Sequence, residues 1–191
     1  MRRPPAPPPR LPVLVLAALL AAGVAAASCG SSPGGRATGS TSTTRPPLPA
    51  GRLPSAVSKM VCSDDARTEI NDALGIKAQV QAPTWADHVY ACRLLYPSAH
   101  IDLSVKELSS WTQTYGYFDT LKSRLGTTGA INGLGQGAFQ APDGSVVVRK
   151  DWKVLLVDPA GLPAQFGVPP TSSADVAVTV ADVILGCWAG D

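Results

Sequence analysis

Charge divides this chain before any pattern of secondary structure does. All fourteen acidic residues lie beyond residue 63, whereas the first fifty residues hold five of the sixteen basic ones (Arg2, Arg3, Arg10, Arg36, Arg45) and no acid. Between Gly30 and Pro47 no large apolar residue occurs, and Gly, Ser, Thr and Pro dominate. A stretch of that composition cannot remove enough apolar surface from water to offset the entropy of ordering it. A packed core is therefore confined to residues 57–191, long enough for one domain that buries about two thirds of its unfolded surface. From Arg52 onward eleven bases face fourteen acids, a net −3. That sign, without a basic cluster, argues against nucleic acid or an anionic bilayer surface as partner. No internal repeat or heptad pattern is present.

The N-terminus reads as an export signal: three arginines, an uncharged apolar run from Leu11 to Ala27, then Ala26-Ala27-Ser28-Cys29-Gly30. The run is 17 residues, broken by Pro12 and Gly23. As a helix it would cover about 25 Å, short of the roughly 30 Å hydrocarbon core. Small residues ending on a cysteine resemble the lipobox of bacterial lipoproteins. The resemblance implies a signal peptide at 1–28, cleavage before Cys29, a diacylglycerol thioether on its sulfur and acylation, such as by palmitate, of the new amine. A non-lipoprotein signal peptide cut after Ala25-Ala26-Ala27 is the alternative. Two or three acyl chains hold firmly where one does not, so residues 29–56 become a lipidated cysteine and a disordered tether spanning about 30 Å. The location implied is the cell membrane, lipid-anchored, on its extracytoplasmic face.

With Cys29 assigned to lipid, Cys62, Cys92 and Cys187 remain, an odd number. The favoured disulfide is Cys62–Cys92, leaving Cys187 as a buried thiol at the end of the last helix; pairing of Cys187 with Cys62 or Cys92 stays open. No C-x-x-C occurs, so zinc and redox motifs have little support.

Within the domain, Ser63-Asp64-Asp65 caps a helix whose apolar face is Ala66, Ile70, Ala73 and Leu74 and which Gly75 ends. Residues 78–81 predict a short strand, and 88–96 and 101–106 a hairpin turning at Pro97-Ser98. Ser110 with Gln113 forms a capping box for a second helix, in which Trp111, Tyr115, Phe118, Leu121 and Leu125 make a stripe expected to be core. Ala138-Phe139 is a short strand. Val146–Val148 and Val154–Val157 form a second hairpin, expected to be more central because its β-branched runs are unbroken. Ser172 and Asp175 cap a last helix carrying Val176, Val180, Val183, Ile184 and Cys187. The order α-β-β-β-α-β-β-β-α predicts an α+β fold: an antiparallel sheet of about five or six strands, two hairpins included, with about three helices mainly on one face.

These points together resemble the small secreted lipoproteins of actinobacteria that carry one α+β domain of unknown function. The matches are Cys62 before a helix ending Ala73-Leu74-Gly75, the strand cysteine in Tyr90-Ala91-Cys92-Arg93, and Gly133-Leu134-Gly135-Gln136-Gly137-Ala138-Phe139. The resemblance implies a Cys62–Cys92 disulfide and a non-catalytic role.

No residue set reads as catalytic or metal-binding, and no cofactor is implied. His88 and His100 are expected to face Glu107 and Leu95, too far apart along the hairpin to share a metal. No G-x-S-x-G elbow is present, and Gly144-Ser145 is the exit of a turn. The glycine-rich stretch precedes a strand and lacks the lysine of a phosphate loop. Asp64 and Asp65 serve the helix dipole. Trp85, Trp152 and Trp188 lie near element ends and are expected to pack at edges rather than line a partner or glycan surface. The function expected is a binding module with an envelope protein or small ligand as partner. An envelope hydrolase would need His88 or His100 within hydrogen-bond reach of a hydroxyl or carboxylate, and an apolar-ligand carrier would need a closed cavity.

Overall fold

The computed structural model describes residues 46–188. The proposed signal peptide, Cys29 and most of the expected tether lie outside them. The described residues form four helices: α1 (Ala56–Met60), α2 (Asp64–Leu74), α3 (Trp111–Leu125) and α4 (Ser173–Cys187). The strands are β1 (Gln79–Val80), β2 (Thr84–Ala86), β3 (Val89–Tyr96), β4 (Ala99–Glu107), β5 (Gly129–Ala130), β6 (Gly137–Gln140), β7 (Val146–Lys150), β8 (Lys153–Asp158), β9 (Gln165–Phe166) and β10 (Thr171–Ser172). None of these helices is long and apolar enough to cross a membrane.

The α+β class is as expected, but the main sheet is larger, with eight strands in the order β1-β3-β4-β8-β7-β6-β5 and β2 also paired to β3. β9 and β10 form a separate pair. The extra strands are two or three residues long, below what alternation can reveal. Both expected hairpins form, and Leu95 pairs with His100 as read from the turn. The β4–β8 pairing joins the hairpins and places β8 and β7 at the sheet's middle.

The helix caps follow the residue chemistry. Ser63, Ser110 and Ser172 accept from the backbone N–H groups of Ala66, Gln113 and Asp175, satisfying donors a helix start leaves open. Gly75 closes α2 with φ 66°, a conformation easy only for glycine.

Helices cover both faces of the sheet, not mainly one. Val146, Val148, Leu155 and Val157 belong to a core shared with Ile70 and Leu74 of α2 and with Val176, Val180 and Ile184 of α4. Val147 and Val154 point the other way, into a smaller core with Phe139, Leu121, Phe118 and Leu125. Successive side chains alternate across a strand, so the two cores lie on opposite faces. The unbroken runs in β7 and β8 are buried on both sides because α3 packs beneath them.

The fold also begins before residue 57. Ala50 donates to the Leu108 carbonyl and Ser55 to Glu107 Oε1 at 2.8 Å, and Trp85 Nε1 donates to the Arg52 carbonyl. Glu107 is 4% exposed, and the Ser58 hydroxyl donates to the same oxygen.

Candidate functional site

The smaller core stops short of one end of the sheet. β4 turns Ile101, Leu103 and Val105 into the larger core and His100, Asp102, Ser104 and Lys106 to the opposite side. α3 packs against β7 and β8, which leaves the outer side of β3 and β4 open. There a cleft of about 340 Å³ is bounded by Gln81 and Thr84 on one side, Ala91, Ser104 and Leu156 along its floor, and Arg93, Asp102 and Asp158 at its charged end.

Register creates the charged end. Arg93 lies opposite Asp102 in the β3–β4 hairpin, and Asp102 lies opposite Asp158 across β4–β8. Arg93 Nε and Nη2 donate to Asp102 Oδ1 and Oδ2 at 2.6 and 2.8 Å, a bidentate pair that fixes the guanidinium plane. The bond to Asp102, then its charge, and more weakly the charge of Asp158, raise the Arg93 pKa. Facing carboxylates on neighbouring strands repel, and Arg93 offsets that repulsion. Asp158 also receives the Ala160 N–H at 2.9 Å. The outcome is a polar surface whose charged groups are pre-positioned but half in water, suited to contacting a polar ligand.

The two histidines stay apart. His100 Nε2 is 3.9 Å from Asp102 Oδ2, beyond hydrogen-bonding distance. Its ring lies against Gly161, where any Cβ would come within 2.4 Å of it. His88 occupies the β2–β3 turn, with its Nδ1 3.1 Å from the Gly51 carbonyl oxygen and its ring edge-on to Trp85 at 5.8 Å. Its carbonyl receives the Glu107 N–H, the neighbour expected from sequence. Neither imidazole has the oriented partner a general base requires. Among the described residues, no group of three or more His, Cys, Asp or Glu side chains is placed to hold a metal.

Cys62 and Cys92 are joined, their Cα atoms 6.1 Å apart, which ties the start of α2 to β3. Cys187 is half-buried and engaged in a disulfide. This corrects the expectation of a buried thiol there, and its alternative partners Cys62 and Cys92 are bonded to each other. Asp64 and Asp65 sit at the start of α2, Asp64 bonded to Arg67 at 2.8 Å. The stripe on α3 divides: Phe118, Leu121 and Leu125 face the smaller core, while Trp111 and Tyr115 are exposed. Trp188 is buried, 3% exposed, at the end of α4.

Arg93, Asp102 and Asp158 were not singled out from sequence. The first two were reachable, because the register that pairs Leu95 with His100 also pairs Arg93 with Asp102. Asp158 was not, since nothing local tells which strand lies beside β4. Compared with known proteins, the chain matches no family model, no curated protein and no solved structure.

Proposed function

We propose that this protein is a lipid-anchored extracytoplasmic lipoprotein whose single domain binds a protein or small ligand of the cell envelope without catalysing a reaction. The observation that carries the binding role is the open cleft on the uncovered half of the sheet, where a bidentate Arg93–Asp102 pair and Asp158 are held beside a small apolar floor. Support for the anchor comes from the arginines, the apolar run and Ala26-Ala27-Ser28-Cys29, and from the resemblance to actinobacterial lipoproteins of that pattern. A tether between lipid and domain lets the cleft work clear of the headgroups.

Metabolic labelling with a clickable fatty acid tests the anchor. The wild type incorporates label and partitions into membranes, and Cys29→Ala loses both. The chain holds four cysteines, so with Cys62 and Cys92 joined a lipid and a disulfide to Cys187 compete for the Cys29 sulfur. Peptide mapping of membrane-extracted protein separates them. A diacylglyceryl thioether on Cys29 supports the anchor, and a Cys29–Cys187 peptide overturns it.

A further inference from the structure

α3 turns two of its aromatic rings outward. Trp111 and Tyr115 are 38% and 49% exposed, with ring centroids 6.2 Å apart and planes at 41°. Four residues apart, they share one face of the helix. The helix docks without them, through Thr114, Leu121 and Phe118, whose ring meets Phe139 edge-on at 5.2 Å. Their apolar surface therefore stays in water although burial would be favourable.

Tyr115 is nonetheless held still. The Arg149 guanidinium lies 4.3 Å from its ring centre and donates to the Gln136 carbonyl. The Gln136 side chain in turn accepts the Asp151 N–H at 2.8 Å. Glycines make the seat. A Cβ on Gly135 would come 2.8 Å from the Arg149 carbonyl oxygen, and one on Gly137 3.0 Å from Arg149 Nη2. The Gly133–Gly137 motif thus positions an arginine, and the arginine backs an exposed ring.

A second cation would be a poor ligand, because Arg149 already occupies one face of Tyr115 and adds positive charge. An apolar protein partner is also a poor fit, since Thr112, Gly116, Asp119 and Thr120 around the rings leave no continuous apolar centre. Two fixed ring faces within a polar rim suit a molecule with flat C–H faces and hydroxylated edges. We propose that Trp111 and Tyr115 form a stacking platform for a neutral, extended glycan, with Asp119 and Arg149 at its rim as partners for hydroxyl groups. Preorganisation by Arg149 lowers the entropy cost of binding.

Calorimetric titration of the full-length protein, extracted in a sugar-free detergent, with chitohexaose and with cellohexaose tests this. At least one hexasaccharide binds saturably. Trp111→Ala and Tyr115→Ala each weaken binding about tenfold, Tyr115→Phe retains it, and Arg93→Ala in the cleft leaves it unchanged, with circular dichroism confirming that each variant folds. Binding of neither sugar overturns the proposal. So does binding that Arg93→Ala abolishes and the ring variants leave intact, or sedimentation showing that the rings serve self-association lost in Trp111→Ala.

Discussion

Tyr96 places a hydroxyl where nothing receives it. The residue is 7% exposed, its ring packs edge-on against Phe166 at 4.8 Å, and its hydroxyl has no hydrogen-bond partner. Burial pushes the phenol up to about 12 from its ordinary 10.0. The folded state thus keeps a proton that the unfolded chain releases above pH 10. The associated stability is fully present below that pH and is lost as pH rises from 10 towards 12. Tyr96→Phe removes both the unsatisfied group and the titration. Urea unfolding at pH 7 is expected to show the variant more stable by about 1 kcal/mol. Between pH 9.5 and 11 the wild type loses stability faster than the variant. At the same scale, Asp87 and His88 both have positive φ, 51° and 57°, in a two-residue turn where Asn-Gly would be less strained. The contacts of His88 with Gly51 and Trp85 hold it there.

Among the elements, the segment entering α1 is the least expected. Composition assigns residues up to 56 to a tether, yet residues 50–58 are bonded to β4 and its flanks. The anchor is Glu107, a charged residue that alternation alone marks as inward-facing. Ser55 N–H and the Ser58 hydroxyl both donate to it, and such donors left unmet in the interior are costly. Glu107→Ala is expected to cost about 1–3 kcal/mol, with limited trypsin digestion cutting faster at Arg52 and Lys59 as the segment detaches. α3 carries a different lesson. Its 4-3-3-4 spacing identified the helix but not its orientation, because a stripe that wide includes rings the sheet has no room to cover. Val146-Val147-Val148 already signalled burial on both sides of β7, which requires helices on both faces.

For the molecule as a whole, the Cys62–Cys92 bond closes a loop spanning a sequence separation of 30, containing α2, β1 and β2. Replacing both cysteines by serine is expected to lower stability by about 3–4 kcal/mol through the entropy returned to the unfolded chain, seen as a lower urea midpoint in oxidising buffer. By itself the sequence determined the helices, their caps, the two hairpins and the pairing of Arg93 with Asp102. Each follows from residues close along the chain, where periodicity, capping and turn chemistry act. Tertiary structure alone decided that β4 lies against β8, that α3 covers only one end of the second face, and that Gly135 and Gly137 seat Arg149 behind Tyr115. Those choices depend on how separate apolar surfaces find cover, so the open cleft and the exposed rings arise where that cover runs out.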